Sequence, residues 1–386
     1  MGGFQGSLFS RRGFLGSSVA LGSLLAAIPD AFADVVEDLA ALGAKLKGDI
    51  ILPASPDYEG ARRTFSFNPR TGSHPRAIIR CKSEDDVIRA LDYARKAGLE
   101  IAIRSGGHDV LGASTVENGI IIDLSGLDAI VADPSSGRVE IGGGVRARQL
   151  TNRLQEVGQA VALGCNPAVG VSGLTLGGGI GWLLGTSGAA CDNLLRARVL
   201  TADGRFVGAS AEEEPDLFWA LRGGGGNFGI VTSLAFRTRP LASVIGGHLA
   251  YSGEDLRGFL EFYRDQMERA PAELVVEALI MAPSQPVIFA IVCYTGDAAG
   301  ADAVLAPWRK FRPLLADSVG IKPLSSFSQP APEVAKLFQG PPPDPAFKDK
   351  RPDIYWMGGS LAALTDGAID SLVFAAKDGP PGWDIS

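Results

Sequence analysis

Arg222-Gly223-Gly224-Gly225-Gly226-Asn227-Phe228-Gly229-Ile230-Val231-Thr232 contains Gly224-x-Gly226-x-x-Gly229, the spacing of a dinucleotide fingerprint, in the wrong setting. That fingerprint follows a strand and opens a helix whose N-terminus holds the pyrophosphate. Here a helix-like stretch, Asp216–Leu221, precedes the glycines, and the β-rich Ile230–Leu234 follows them. A Rossmann reading is therefore rejected, and no Gly-x-x-x-x-Gly-Lys-Ser/Thr phosphate loop is present. Two more glycine runs lie upstream, Ser105-Gly106-Gly107-His108 and Gly170-x-x-Gly173 continuing to Gly177-Gly178-Gly179-x-Gly181. Consecutive backbone N–H groups in such runs form anion-binding concavities without a helix dipole. One run alone reads as tight turns between strands. Three on one unit suit a long, flat, doubly phosphorylated ligand.

Outward from these loops the pattern is mixed helix and strand. Arg76–Arg80 reads as a buried strand, and Ser83 caps a helix with Asp86 in the capping-box position and Gly98 as its stop. Strands follow at Glu100–Arg104, Gly119–Leu124 and Arg138–Ile141, then a helix with Leu150, Leu154 and Val157 on one face. Ala160–Leu163 reads as a strand opening the second glycine run, Asp203-Gly204 as a hairpin turn between Arg196–Thr201 and Arg205–Ala209, and Ile230–Thr238 as the last strand of the unit. Pro240 and sparser glycine beyond it place a boundary near residue 239, with a second unit from 240 to 386.

Composition narrows the chemistry. Fifty of 386 residues are glycine, with no Gly-X-Y period. The net charge of −7 argues against a nucleic-acid partner. Four cysteines without Cys-x-x-Cys spacing, three histidines and no His-Glu-x-x-His leave no metal site to name. Ser10-Arg11-Arg12-Gly13-Phe14-Leu15, a short apolar run to Ile28 and Ala31-Phe32-Ala33 form a twin-arginine signal with a cleavage site over residues 1–33. The apolar run is too short for a membrane span. The expectation is an exported protein, periplasmic or secreted, that meets the twin-arginine export machinery.

Ile103-Arg104-Ser105-Gly106-Gly107-His108-Asp109, Val169-Gly170-Val171-Ser172-Gly173-Leu174-Thr175-Leu176-Gly177-Gly178-Gly179-Ile180-Gly181, Asp192-Asn193-Leu194 and Gly226-Asn227-Phe228-Gly229-Ile230-Val231-Thr232 occur in that order. Together they resemble the berberine bridge enzyme-like FAD-linked oxidases of the vanillyl-alcohol oxidase / p-cresol methylhydroxylase group. The resemblance runs from about Ile50 to about Ala376. It implies an α+β fold: a two-part FAD-binding domain of the p-cresol methylhydroxylase type over 34–239, then an antiparallel-sheet substrate domain covered by helices over 240–386. It implies FAD, bonded through His108 to the flavin 8α-methyl carbon. Arg104, Ser105, Gly106, Gly107, Asp109 and Gly112 would embrace the cofactor from the first loop. Val169, Gly170, Gly173, Gly177, Gly178 and Gly181 would do so from the second, and Asn227, Gly229, Ile230 and Val231 from the third. Bicovalent relatives hold the flavin a second time through a cysteine directly before the proline; here that position is Asn166 and the cysteine falls one place earlier, so no second link through Cys165 is expected. Val169 stands where the family tunes oxygen access, and valine goes with oxidases.

The implied function is oxidation of a C–H bond of a sugar, alcohol or aromatic metabolite by hydride transfer to flavin N5. Molecular oxygen is the expected acceptor, and a dehydrogenase or a catalytically incomplete FAD-binding fragment is the alternative. Tyr251, Tyr263, Tyr294, Tyr355 and Trp356 are aromatic candidates for a pocket wall or for core. Family members run on past this point with a closing segment that often carries Tyr-x-Asn-Tyr, which this sequence lacks, and no catalytic base is assigned. Ending at Ser386 is expected to bare an apolar helix face at Leu361, Leu364, Ile369, Leu372 and Val373.

Overall fold

The computed structural model describes residues 39–65, 72–281, 287–338, 363–378 and 384–385. The twin-arginine segment, Tyr355, Trp356 and Leu361 lie outside them.

The first sheet comprises β1 (Asp49–Ile51), β2 (Ala77–Arg80), β3 (Ile101–Arg104) and β4 (Ile120–Asp123), in the spatial order β1-β2-β4-β3. Strands β2, β4 and β3 run parallel, while β1 is antiparallel to β2. Parallel strands are covered on both faces and so read as continuous apolar runs. Ala77-Ile78-Ile79 and Ile120-Ile121-Ile122 are indeed fully buried. Helix α1 (Glu84–Lys96) covers one face with Val87, Ala90, Leu91 and Ala94. Ser83 caps it by accepting from the Asp86 N–H. Asp86 does not close the capping box; its carboxylate accepts the N–H groups of Lys47, Gly48 and Lys82, drawing the entering chain onto the sheet.

The second sheet is antiparallel: β5 (Ile130–Asp133), β6 (Arg138–Gly142), β8 (Leu194–Leu200), β9 (Phe206–Ser210) and β10 (Ile230–Arg237), ordered β5-β6-β10-β8-β9. Strand β5, with its alternating half-exposed residues, has no counterpart in the sequence reading. The expected strand at Ala160–Leu163 shrinks to β7 (Gln159–Ala160), paired only with β11 (Arg239–Pro240). Val161, Ala162 and Leu163 are buried, but by packing rather than by a ladder, which is why their apolar run misled. Helices α2 (Ala147–Glu156) and α4 (Pro215–Leu221) cover this sheet with Leu150, Leu154, Phe218 and Leu221. The six-residue helix α3 (Val171–Leu176) sits inside the second glycine run. Glu84 bridges the two sheets, accepting from Arg198 Nε at 2.8 Å and Thr232 Oγ1 at 2.7 Å.

The third sheet is antiparallel and follows the order β15-β12-β14-β13-β17. Its strands are β12 (Val244–Ser252), β13 (Leu274–Met281), β14 (Val287–Tyr294), β15 (Ala316–Asp317), β16 (Gly320–Lys322, also on β12) and β17 (Asp384–Ile385). One face packs on α5 (Leu256–Met267) and α6 (Ala298–Lys310) through Phe259, Leu260, Leu305 and Trp308. Tyr251 and Tyr294 are buried on that face, and the Tyr263 ring packs there too, so these three are core and not pocket wall. The Tyr251 and Tyr263 hydroxyls donate to the carbonyls of Trp308 and Val276. Helix α8 (Asp366–Asp378) corrects a further expectation. Ile369 is fully buried against α5, and Leu364, Leu372 and Val373 pack on the same core, leaving Phe374 as the exposed apolar residue. The architecture is α+β.

Candidate cofactor site

The first glycine run is held at the end of β3. Arg104 is buried, with Nε donating to the Ser114 carbonyl at 3.1 Å and Nη1 to the Ala61 carbonyl. Burial pulls its guanidinium below the usual range, opposed by the charge of Asp123 on the neighbouring strand. Gly107 has φ +66°, which turns the chain so that His108 leaves the strand direction. The Phe65 N–H donates to the Gly107 carbonyl at 2.8 Å, and its ring stacks on His108 with centroids 3.9 Å apart at 17°. Burial, helped by the charge of Arg146, outweighs a backbone hydrogen bond and lowers the His108 pKa, favouring the neutral imidazole. Asp109 caps the following turn by accepting the Ala113 N–H at 2.7 Å.

The second run lies directly on the first. A Cβ on Gly106 would stand 2.3 Å from the Gly170 nitrogen, and one on Gly170 would stand 2.4 Å from the Gly106 nitrogen. The two backbones therefore meet with no room for any side chain. Ser105 Oγ and Ser172 Oγ both donate to the Gly143 carbonyl, at 2.7 and 2.8 Å, pinning both runs to the second sheet. The third run is tied to the second by the Gly225 N–H, which donates to the Leu176 carbonyl at 2.8 Å. Asn227 closes its own turn by donating to the Gly224 carbonyl at 2.8 Å.

The expected contacts divide into two groups. Gly181 and Gly229 press against the carbonyls of Leu163 and Leu200, and the side chains of Ile230 and Val231 are buried in the cores. These four positions can offer only main chain to a ligand. Gly173, Gly178 and Gly226 face open space with no atom within 4 Å of a Cβ, and Gly112 and Gly177 are nearly as open. Val169 is half-buried beside Gly170. Sequence reading missed Phe65, Ser172 and Gly143; the run Gly142-Gly143-Gly144 was a visible signal for the last.

A nucleotide fits here on two counts. Space lies open above backbone that is free of side chains. In addition, Arg104 Nη2, Ser114 Oγ, Thr115 Oγ1 and Thr175 Oγ1 are buried polar atoms without hydrogen-bond partners among the described residues, and all four lie in or beside the first two runs. Orphaned donors are costly unless a ligand or water takes them up. The described residues contain no cluster of three or more metal-ligating side chains, and no helix among them is long and apolar enough to cross a membrane.

Comparison with known proteins agrees with this geometry. Residues 75–210 match the FAD binding domain family. The (R)-6-hydroxynicotine oxidase of Paenarthrobacter nicotinovorans is 32% identical over 282 residues, covering 72% of this chain and 61% of that protein. The crystal structure of 6-hydroxy-D-nicotine oxidase from Arthrobacter nicotinovorans superposes with a TM-score of 0.69 at 31% identity, over 76% of this chain and 64% of that one. Physcomitrella patens BBE-like 1 gives 0.66 at 26% identity, over 74% and 61%. The chain thus spans less than two thirds of the length of these relatives. Over residues 75–210 the chain thus matches the FAD binding domain family, and its homologues are FAD-linked oxidoreductases that include 6-hydroxynicotine oxidase and berberine bridge enzyme-like proteins.

Proposed function

We propose that the chain acts as an FAD-dependent oxidase. It takes a hydride from a C–H bond of a sugar, alcohol or aromatic metabolite and passes the electron pair to molecular oxygen, releasing hydrogen peroxide. The bound flavin supplies the hydride acceptor. In this reading His108 carries it covalently. The observation that carries the reading is the seat of His108: a half-buried imidazole, stacked on Phe65, at the junction of two glycine runs whose backbones touch. A neutral imidazole nitrogen is a nucleophile, and the burial that lowers the His108 pKa keeps it neutral at pH 7. Arg104, Ser114, Thr115 and Thr175 have donors free for the nucleotide. The second covalent link is not part of the proposal. Burial, with Glu277 beside it, pushes the Cys165 thiol up to about 12, so no thiolate is available there at neutral pH.

Export through the twin-arginine machinery belongs to the same proposal and is tested by fractionating cells that express the chain with Arg11-Arg12 intact or changed to Lys-Lys. The decisive experiment on the cofactor is acid precipitation of purified protein. Yellow colour in the pellet supports a covalent flavin, and colour wholly in the supernatant refutes it. Peroxide release is then measured against a panel of sugars, secondary alcohols and 6-hydroxynicotine. Flavin reduction without peroxide would turn the reading to a dehydrogenase.

A further inference from the structure

The chain between β16 and the short helix α7 (Pro332–Ala335) belongs to the second unit but lies against the first. A turn at Pro323, whose carbonyl accepts the Ser326 and Phe327 N–H groups at 3.1 Å, shapes it. Phe327 is fully buried, edge-on to Trp182 at 5.0 Å and 78°, and sits over Gly246, where a Cβ would stand 2.6 Å from its ring. Val334 anchors the far end on Ala250 and Phe289. Held at these two points, residues 324–329 close a cavity of about 550 Å³ against α2 and the segment 161–167. Sites for small organic ligands fall in this size range. The walls divide by chemistry. Val161, Leu163, Trp182, Leu183 and Leu324 form an apolar floor, and Arg148, Thr151, Ser325, Ser328 and Gln329 a polar side. Arg148 is the one charged side chain among the lining residues; it is exposed and forms no ion pair among the described residues. The Ser325 and Ser328 hydroxyls and the Gln329 amide also have no hydrogen-bond partner among the described residues. A smaller hollow of about 200 Å³ continues along α2 past Leu154 and Gln155, sharing Thr151, Val161 and Leu324. Neither space takes a wall from Arg104–Gly112, Gly170–Gly181 or Gly223–Gly229, so this is not the cofactor seat.

We propose that this cavity is a second binding site, one that takes an organic monocarboxylate with an aromatic or branched apolar body. The body lies on the floor of Leu163, Trp182 and Leu324, and the carboxylate accepts from the Arg148 guanidinium and the Ser325 and Ser328 hydroxyls. Each part of the ligand follows from a wall. A sugar would lose the hydration of its hydroxyls against the apolar floor without gaining partners there. A small inorganic anion would leave that floor uncovered. An ammonium ligand would meet an unpaired like charge, because no acidic side chain lines the cavity. A single guanidinium, with its planar fork of donors, matches a single carboxylate. The ligand would touch α2 of the first unit and residues 324–329 of the second, so filling the site ties the two units together and stabilises the closed arrangement by mass action. The proposal does not depend on the oxidase reading.

The test uses the full-length chain with its flavin content as purified. Hydrocinnamate, its neutral amide and acetate are titrated by isothermal calorimetry at pH 7 and low ionic strength. Hydrocinnamate should bind about tenfold more tightly than the amide, the worth of a hydrogen bond to a charged group, and acetate should give no detectable heat. Added salt should erode the difference, because Arg148 stands at the open side. Arg148→Gln should bring the acid to the affinity of the amide and leave the amide unchanged. Arg153→Gln, at an exposed arginine of the same helix outside the cavity, should alter neither. Hydrogen exchange of residues 324–329 should slow with hydrocinnamate in wild type and not in Arg148→Gln. Equal affinity for acid and amide, binding of neither, or a preference for the acid that survives Arg148→Gln would overturn the proposal. Absence of peroxide with every substrate tried would sink the oxidase reading separately, since no turnover enters these measurements.

Discussion

Gly170 and Gly173 lie three residues apart in the same glycine run and should respond to alanine in opposite ways. At Gly170 the new Cβ would stand 2.4 Å from the Gly106 nitrogen and 2.5 Å from Ser105 Oγ. Ordinary contact needs about 3.4 Å, so the two backbones must part by about 1 Å, and neither is the end of a flexible side chain. Overpacking of this kind costs about 1–3 kcal/mol, and the rigid partner puts Gly170→Ala at about 3 kcal/mol. The melting temperature of flavin-free protein should fall by about 5–10 °C. At Gly173, in α3, nothing lies within 4 Å of the Cβ. Alanine should therefore stabilise the flavin-free protein by about 0.5–1 kcal/mol through helix propensity. If FAD lies against this backbone, Gly173→Ala should still lower the flavin-to-protein absorbance ratio after gel filtration, despite the higher melting temperature. Wild-type melting for Gly170→Ala would refute the packing argument. Wild-type flavin content for Gly173→Ala would refute the placement of the cofactor over the second run.

His108→Ala should abolish flavin in the acid-precipitated pellet, while the native protein still binds some FAD through the remaining loop contacts. Asp86→Ala should lower stability by about 3 kcal/mol or more in urea melts, because three backbone N–H groups lose their acceptor at a buried site. His248 titrates at about 4 in the folded chain because burial strips its solvation, against about 6.5 unfolded. Between these values the unfolded chain binds more protons, so this group's contribution is complete above pH 6.5 and falls as pH drops, by roughly 3 kcal/mol at pH 4. Glu277, with its raised pKa, works in the opposite sense at the acid end, so the slope is measured as the difference between wild type and His248→Gln.

Much of the fold was legible because it is written in local patterns. Ala77–Ile79 and Ile120–Ile122 are apolar without alternation, as buried parallel strands are, and Ser83 and Gly98 mark the ends of α1. Asp203-Gly204, with Gly204 at φ +87°, marks the β8–β9 turn. The order of helix, glycines and strand around Gly224–Gly229 excluded a Rossmann unit correctly, since α4 ends at Leu221 and β10 begins at Ile230.

Other features depend on what lies opposite a residue in space, which no sequence window contains. The run Val161–Leu163 has strand composition but no strand beside it, so it packs without a ladder. Spacing marked Gly173 and Gly181 alike as cofactor glycines, yet one faces open space and the other abuts the Leu163 carbonyl. The same holds for Arg148, one of two arginines on α2 until residues 324–329 close a cavity beside it. By itself the sequence determined the α+β class, the glycine loops and the resemblance to FAD-linked oxidases. Tertiary structure alone decided which glycines make room for one another and which leave room for a ligand, because a missing Cβ matters only through the atoms that approach it.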